Sequence, residues 1–210
     1  MSNHSKAFLG KDYTKIETIS IFVCGAGALG SHITESLAQE GYTHLSVVDF
    51  DRVEKSNAWT QLYGIRDNGA TKVQTLRGIL SRKLGLNIII HDCRLDEKNV
   101  NKLLRGQDLI IDVFDNWESR MLVHDYCMQH SINCVHAGMS EQGFSEVKWN
   151  ERYTAPDRVE AQKDLCDYPL STPLVKITSS LLHAVVTHYV ITGEKIDRSF
   201  TLRDITLHKF

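Results

Sequence analysis

The sequence predicts an α/β fold of the Rossmann-like, doubly wound kind. It expects a mostly parallel sheet with helices on both faces and a C-terminal antiparallel strand extension. Three observations predict it. Short apolar runs alternate with amphipathic stretches from residue 19 to residue 138. A glycine turn, Gly25-Ala26-Gly27-Ala28-Leu29-Gly30, joins the first run to the first amphipathic stretch. The three prolines, Pro156, Pro169 and Pro173, all fall late, so none interrupts the alternation before residue 150.

Each element has its own signal. "ISIFVCG" (19–25) is a short apolar strand ended by glycine. "ALGSHITESLAQEG" (28–41) spaces Leu29, Ile33, Leu37 and Ala38 as one helix face and stops at Gly41. "HLSVVDF" (44–50) reads as the second strand, 71–84 as a helix and "LNIIIHDC" (86–93) as a strand. "DLIIDVFD" (108–115) is a further strand, followed by a helix at 117–130 and the strand "INCVHAG" (132–138). Such alternation implies parallel strands with right-handed crossovers. Beyond residue 138 the character changes. "GFSEVKWN" (143–150) reads as a strand and 151–172 as an irregular, charged loop. A helix at 173–192 and a terminal strand, "SFTLRDITLHKF" (199–210), complete the chain. The 173–192 stretch is strongly apolar, but Lys176, His183 and His188 favour a buried helix over a membrane span. We expect one domain over 1–210, with 151–172 as a lid or binding loop.

Composition narrows the function. The chain has 210 residues, 24% of them charged, and a formal net charge of −2. That gives no global basic field for nucleic acid or a membrane surface. Residues 1–15 carry Lys6, Lys11 and Lys15 without an apolar run, so no secretory signal is expected. The five cysteines are odd in number and form no C-x-x-C pair, which predicts reduced thiols and a cytoplasmic protein. Cys24, Cys93 and Cys134 read as core filler. His124 and Cys127 share a helix face, which fits packing rather than a metal site.

The glycine turn fits G-x-G-x-x-G. Gly25 permits the tight turn, Gly27 lets a phosphate approach the backbone, and Gly30 lets helix pack on strand. The helix start then offers free N–H groups to phosphates. Asp49, nineteen residues after Gly30, is placed to accept ribose hydroxyls. This turn alone does not choose between NAD and ATP. The residues that follow favour a triphosphate: Asp51, Asn57, Gln61 and Lys72 form a dense polar set with no use in hydride transfer. Asp115, at the end of its strand, points into the same crevice and suits Mg2+. Alternatively, Asp115 caps the helix after it.

In "GAGALGS", "VVDFDRVEKSN", Gln61, "DNGATKV", "DVFDNWESR" and "TPLVKITSSLLHAVVTHYVITGE", taken in order, the sequence resembles the ThiF/MoeB/HesA superfamily, the adenylating domain of ubiquitin-activating enzymes and their bacterial relatives. The likeness runs over roughly residues 18–195. It implies ATP and Mg2+ as cofactors and adenylation of a carboxylate. The expected substrate is the C-terminal glycine of a small ubiquitin-like or sulfur-carrier protein. A peptide or small-molecule carboxylate is the alternative. It also implies a homodimer, and 151–172 as a crossover loop. By position, Gly25, Gly27 and Gly30 would form the ATP turn, and Asp49 would hold ribose. Asn57 and Lys72 would touch phosphates, and Asp115 would bind Mg2+. Ala28, Leu29, Asp51, Gln61 and Asn116 complete the expected binding set. Arg120 would serve a structural ion pair.

Three departures qualify the match. Thr60 stands where the family carries an arginine that neutralises triphosphate, which leaves Arg52, Arg66 or a residue of a partner subunit as substitutes. The family's N-terminal arginine motif is missing, with Lys6 or Lys11 as substitutes. The paired C-x-x-C motifs of zinc-binding relatives are missing too, so no zinc is expected. Cys166 falls in the 151–172 loop, where relatives carry an acyl- or sulfur-accepting cysteine. Lys163 favours its thiolate, Asp164 and Asp167 oppose it, and a passive thiol is the other reading. Two further classes stay open: an NAD-dependent oxidoreductase and a non-catalytic nucleotide-binding partner.

Overall fold

A computed structural model describes residues 3–155 and 171–209. Its strands are β1 (Ser20–Cys24), β2 (His44–Val48), β3 (Ile89–His91), β4 (Leu109–Asp112), β5 (Asn133–Met139), β6 (Phe144–Trp149), β7 (Arg198–Thr201) and β8 (Thr206–Lys209). Its helices are α1 (Asn3–Leu9), α2 (Tyr13–Thr18), α3 (Ala28–Glu40), α4 (Lys72–Leu84), α5 (Val100–Leu104), α6 (Trp117–His130) and α7 (Thr172–Thr192).

The strands form one sheet in the order β3-β2-β1-β4-β5-β6-β7-β8. The first five are mutually parallel, and β6, β7 and β8 are added antiparallel. This is the predicted doubly wound sheet with its antiparallel extension. The apolar strands follow from being covered on both faces. Along β1, Ile21 and Val23 pack with Ile33, Leu37, Leu182 and Trp149 on one side. Phe22 and Cys24 pack with Ile110, Val123, Cys127 and Cys134 on the other. Strand alternation thus feeds two cores from one short run.

The long apolar helix α7 lies on the sheet and against α3, burying Leu174, Val175, Leu182, Val185 and Val186. Among the described residues it is the one helix whose length and hydropathy would also suit a membrane. Its last turn is capped by the Lys15 ammonium, 2.6 Å from the Ile191 carbonyl oxygen, as the negative helix end favours.

Several expectations need correction. The terminal segment is a hairpin rather than one strand, because the Asp204 carboxylate accepts from Thr206 N–H at 3.1 Å and turns the chain. The strand expected over 86–93 shrinks to three residues at the sheet edge, with Ile89 exposed. Cys93 lies beyond it and is half-buried, not core, whereas Cys24, Cys127 and Cys134 are buried. Cys166 falls outside the described residues.

Candidate active site

A cavity of about 1190 Å³ opens beyond the C-terminal ends of β1, β2 and β4. That exceeds the roughly 300–1,000 Å³ of a site for one drug-sized ligand, so there is room for two reactants. In this order β1 sits between β2 and β4, where the connections diverge to either side of the sheet, the usual place for ligands in open α/β sheets.

The glycine turn forms its inner wall. Gly25 has φ +105°, a left-handed value, and a Cβ there would lie 3.2 Å from the Val113 carbonyl oxygen. A Cβ on Gly30 would fall 1.9 Å from the Gly25 carbonyl oxygen, so only glycine lets α3 start this close to β1. At Gly27 a Cβ would meet nothing within 4 Å. The turn is open there, beside Ala28 and Leu29 on the cavity wall. Gly27 caps α3 without a side-chain hydrogen bond, so the first N–H groups of that helix remain for a ligand.

Asp49 locks this turn. Its Oδ2 accepts from Ala26 N–H at 2.6 Å and its Oδ1 from Asp51 N–H at 2.8 Å. Burial raises its carboxyl, against the Lys72 ammonium and those two N–H groups. The sequence reading gave Asp49 to a ribose; both oxygens already hold backbone, leaving one lone pair each for another donor. Lys72, the first residue of α4, is buried, with its Nζ 2.7 Å from Asp51 Oδ2. Burial pulls the ammonium down, but Asp49, Asp51 and Asp115 outweigh it and raise it.

Asn57 and Gln61 come from the segment that follows. The Asn57 Oδ1 accepts from Glu54 N–H at 2.9 Å, which shapes the turn. Gln61 Oε1 is buried without a hydrogen-bond partner, a cost that a donating ligand would relieve. On the opposite wall, Asp115 is exposed in the loop after β4. It is not the cap of α6: Asn116 is, accepting from Ser119 N–H at 2.9 Å. The capping alternative for Asp115 therefore falls, and Asn116 has a structural task of its own.

Arg120 closes the floor. Its guanidinium donates to the Ala137 carbonyl at 2.7 Å and to the Tyr153 hydroxyl at 3.2 Å, and lies 3.9 Å from the buried Asp112. Burial raises the Tyr153 hydroxyl, opposed by Arg120 itself.

Residues proposed to replace the arginine absent at Thr60 lie elsewhere. Neither Arg52 nor Arg66 lines the cavity, and Arg52 instead donates to the Gly69 carbonyl at 2.7 Å. Lys6 and Lys11 do not line it either. Sequence reasoning missed Arg94, which does line it, 5.9 Å over the Phe50 ring. It also missed the Lys176 ammonium, which approaches both His32 ring nitrogens at 3.3 Å, while His32 Nε2 meets the Thr60 carbonyl at 3.1 Å. Arg94 follows a strand end, where a signal existed. The Lys176–His32 pair spans 144 residues and had none.

Known proteins resemble this chain in sequence and in fold. A family model described as the ThiF family matches residues 2–167. The SAMP-activating enzyme E1 of Haloferax volcanii is 32% identical over 121 residues, 57% of this chain and 45% of that protein. The probable adenylyltransferase/sulfurtransferase MoeZ of Mycobacterium tuberculosis is 36% identical over 153 residues, 71% of this chain and 38% of that protein. The chain thus spans less than half the length of these relatives. Among solved structures, E. coli MccB with ATP superposes with TM-score 0.82 at 14% identity, covering 99% of this chain and 69% of the other. PaaA gives TM-score 0.76 at 17% identity, covering 95% and 75%. At such identities these two speak for the fold.

Proposed function

Because the chain belongs to the ThiF family, we propose that it activates a carboxylate with ATP, releasing pyrophosphate and leaving an acyl-adenylate. One observation carries this: a single cavity unites an open glycine turn, a buried ammonium facing three carboxylates, and an Asp115 freed from helix capping. A hydride-transfer site would use the glycine turn but has no strong need for the ammonium and Asp115.

A carboxylate resists nucleophiles because its oxygen does not leave. Attack on the α-phosphate converts that oxygen into part of AMP, a good leaving group. The protein's task is to bring two anions together and hold them in line. Gly25, Gly27, Ala28, Leu29 and Gly30 present backbone N–H groups to the triphosphate. Asp49 fixes that turn and offers its remaining lone pairs to ribose hydroxyls. Lys72 faces the phosphates with Asn57, and Gln61 uses its unpartnered oxygen on the nucleotide. Among the described residues no three His, Cys, Asp or Glu side chains form a metal cluster. Mg2+ takes one or two carboxylates and completes its shell with phosphate oxygens and water. Asp115 is the carboxylate for it. When bound, the ion neutralises phosphate charge.

The substrate we favour is the C-terminal glycine of a small ubiquitin-like or sulfur-carrier protein. The curated relatives named above support it, as does the cavity's extension past Gly138 and Ser140 along the β5–β6 hairpin. A cytoplasmic homodimer, with Cys166 as the onward acyl or sulfur acceptor, completes the reading.

The test is thermal stabilisation followed by ATP–pyrophosphate exchange. ATP with Mg2+ should raise the melting temperature while NAD and NADP leave it unchanged; a hundredfold excess over Kd adds about 2.7 kcal/mol. A purified carrier protein ending in glycine should then drive exchange. Asp115→Ala should abolish that exchange and leave the melting temperature within about 0.5 kcal/mol equivalent, as for an exposed site. Stabilisation by NAD alone would return the redox reading to first place.

A further inference from the structure

Below the Arg120 wall lies a chain of buried polar groups that the adenylation roles do not use. Asp112 on β4 and His136 on β5 are 0% and 1% exposed, and Asn150, just after β6, is 3% exposed. His136 Nδ1 is 2.8 Å from Asp112 Oδ2, and its Nε2 is 2.6 Å from Asn150 Oδ1. His124 Nδ1, on α6, meets the same Asn150 oxygen at 2.8 Å.

The orientation of the Asn150 amide decides the protons. Its Nδ2 donates to the His124 backbone carbonyl at 3.1 Å. Turning the amide over would set oxygen against oxygen. Its Oδ1 is therefore the atom facing both imidazoles, and it can only accept. His136 Nε2 must then carry a proton. On the other side of the ring, Nδ1 faces a carboxylate oxygen. That carboxylate also has Arg120 at 3.9 Å from Oδ2 and accepts from Phe114 N–H at 3.1 Å on Oδ1. Its two oxygens therefore face a guanidinium and an N–H, donors both. The remaining proton thus belongs to Nδ1.

We propose that His136 is an imidazolium buried beneath the acyl-substrate half of the cavity, where it positions Arg120 and Tyr153 and leaves the Asp112–His136–Arg120 cluster with a net positive charge. The carboxylate part of this proposal rests on the adenylation reading. Asp112 is shared between two cations, so its single negative charge cancels only one of them. Tyr153, which lines the cavity, stacks flat on His136 with centroids 3.9 Å apart and planes at 6°. The imidazolium is thus one ring's thickness from the space a substrate carboxylate would enter. Neutral His136 would leave Asp112 and Arg120 cancelling, and an apolar residue would leave Asp112 half-partnered.

The groups facing the ring from other elements fit the assignment. Cys134 Sγ lies 3.5 Å from Nε2. Burial pushes this thiol well up, so it is uncharged. Lys148 is opposite His136 in the β5–β6 register and pairs with Glu146 at 3.0 Å, so that pair adds no net charge. His124 gives its Nδ1 proton to Asn150 and has Asp125 4.0 Å from its Nε2.

The direct test is imidazole nitrogen NMR of the wild-type protein at pH 7, without ligand. His136 should show two protonated ring nitrogens. One unprotonated nitrogen in its ring would overturn the proposal. The kinetic test is His136→Gln in the exchange assay. KM for the carboxylate substrate should rise roughly tenfold, the scale of one unit charge through a protein interior, and KM for ATP should stay within about twofold. Equal losses for both substrates, or none, would overturn the positioning role. If the variant does not fold, ring-to-backbone correlations assign His136 in the wild type and the spectrum decides. If ATP gives no thermal shift, adenylation fails while the ring spectrum still tests the imidazolium.

Discussion

Replacing Lys72 with methionine keeps most of the side-chain stem and removes the ammonium. The structure sets the size of the effect. Lys72 is 7% exposed and its Nζ lies 2.7 Å from Asp51 Oδ2. The Asp51 side chain is 45% exposed, so water screens this pair to roughly 0.2–1 kcal/mol. Asp49 is buried and loses an attraction that offsets its burial, but it keeps the Ala26 and Asp51 N–H groups. Together these destabilise the fold by about 1–2 kcal/mol, or about 2–4 °C per kcal/mol in a chain of this size. Nucleotide affinity should suffer more. A charge-assisted hydrogen bond to phosphate contributes about 1.5–3 kcal/mol, so Kd for ATP should rise roughly tenfold to hundredfold. The pH dependence has a definite sign. The folded-state ammonium is raised above its ordinary 10.5. Its contribution is therefore complete below that value and lost as pH rises through the folded one. Calorimetric titration with ATP and Mg2+, with melts at neutral and alkaline pH, measures both effects. A Kd within about twofold of wild type, beside a lowered melting temperature, would reduce Lys72 to a structural role and refute its assignment to the phosphates.

Other expectations follow from single contacts. Gly30→Ala forces a methyl group to 1.9 Å from the Gly25 carbonyl oxygen. Urea denaturation should show a loss of about 3 kcal/mol or more, and a loss under about 1 kcal/mol would mean that α3 does not approach β1 this closely. Asn116→Ala removes the α6 cap and should cost about 1 kcal/mol, with Asn116→Asp restoring most of it. An equal loss in both variants would contradict the capping bond. Burial lowers His32, helped by Lys176, and burial lowers His183, both from an ordinary 6.5. Their contribution is present above that value and lost as pH falls through the folded ones. Melts from pH 7 to pH 5 should therefore show an acid loss that His32→Gln with His183→Gln flattens. An unchanged acid limb in the double variant would assign the loss to other groups.

The parallel half of the fold was legible because its strands are buried on both faces. Ile21 to Cys24 reads as an unbroken apolar run for that reason. Helix α6 was found to the residue, although its cap is Asn116 and not Asp115, and Ser131, at φ 54°, ends it. The short helices α1, α2 and α5 were not legible. With seven residues or fewer they hold too few turns to show a period. Tertiary burial decides them instead, as with Tyr13 and Ile16 in α2. At the site, Asp49, Lys72 and Asp115 were legible because strand ends and turns announce them. The His136–Asn150 contact was not, because it depends on the register that pairs Val135 with Trp149. A residue-level pattern does not encode that register.

The neighbour relation between β1 and β4 also sets a timetable. Gly25 and Asp115 face one cavity, yet ninety residues separate them in the sequence. A nascent chain emerging from the ribosome can shape the glycine turn as soon as β2 is available to pair with β1. It has no opposite wall until β4 arrives on the other side. At about 5–20 residues per second, synthesis keeps the two halves of the site apart for on the order of ten seconds. A ligand that needs both walls therefore cannot assist the early stages of folding. It can reward only a chain whose central crossover is already in place.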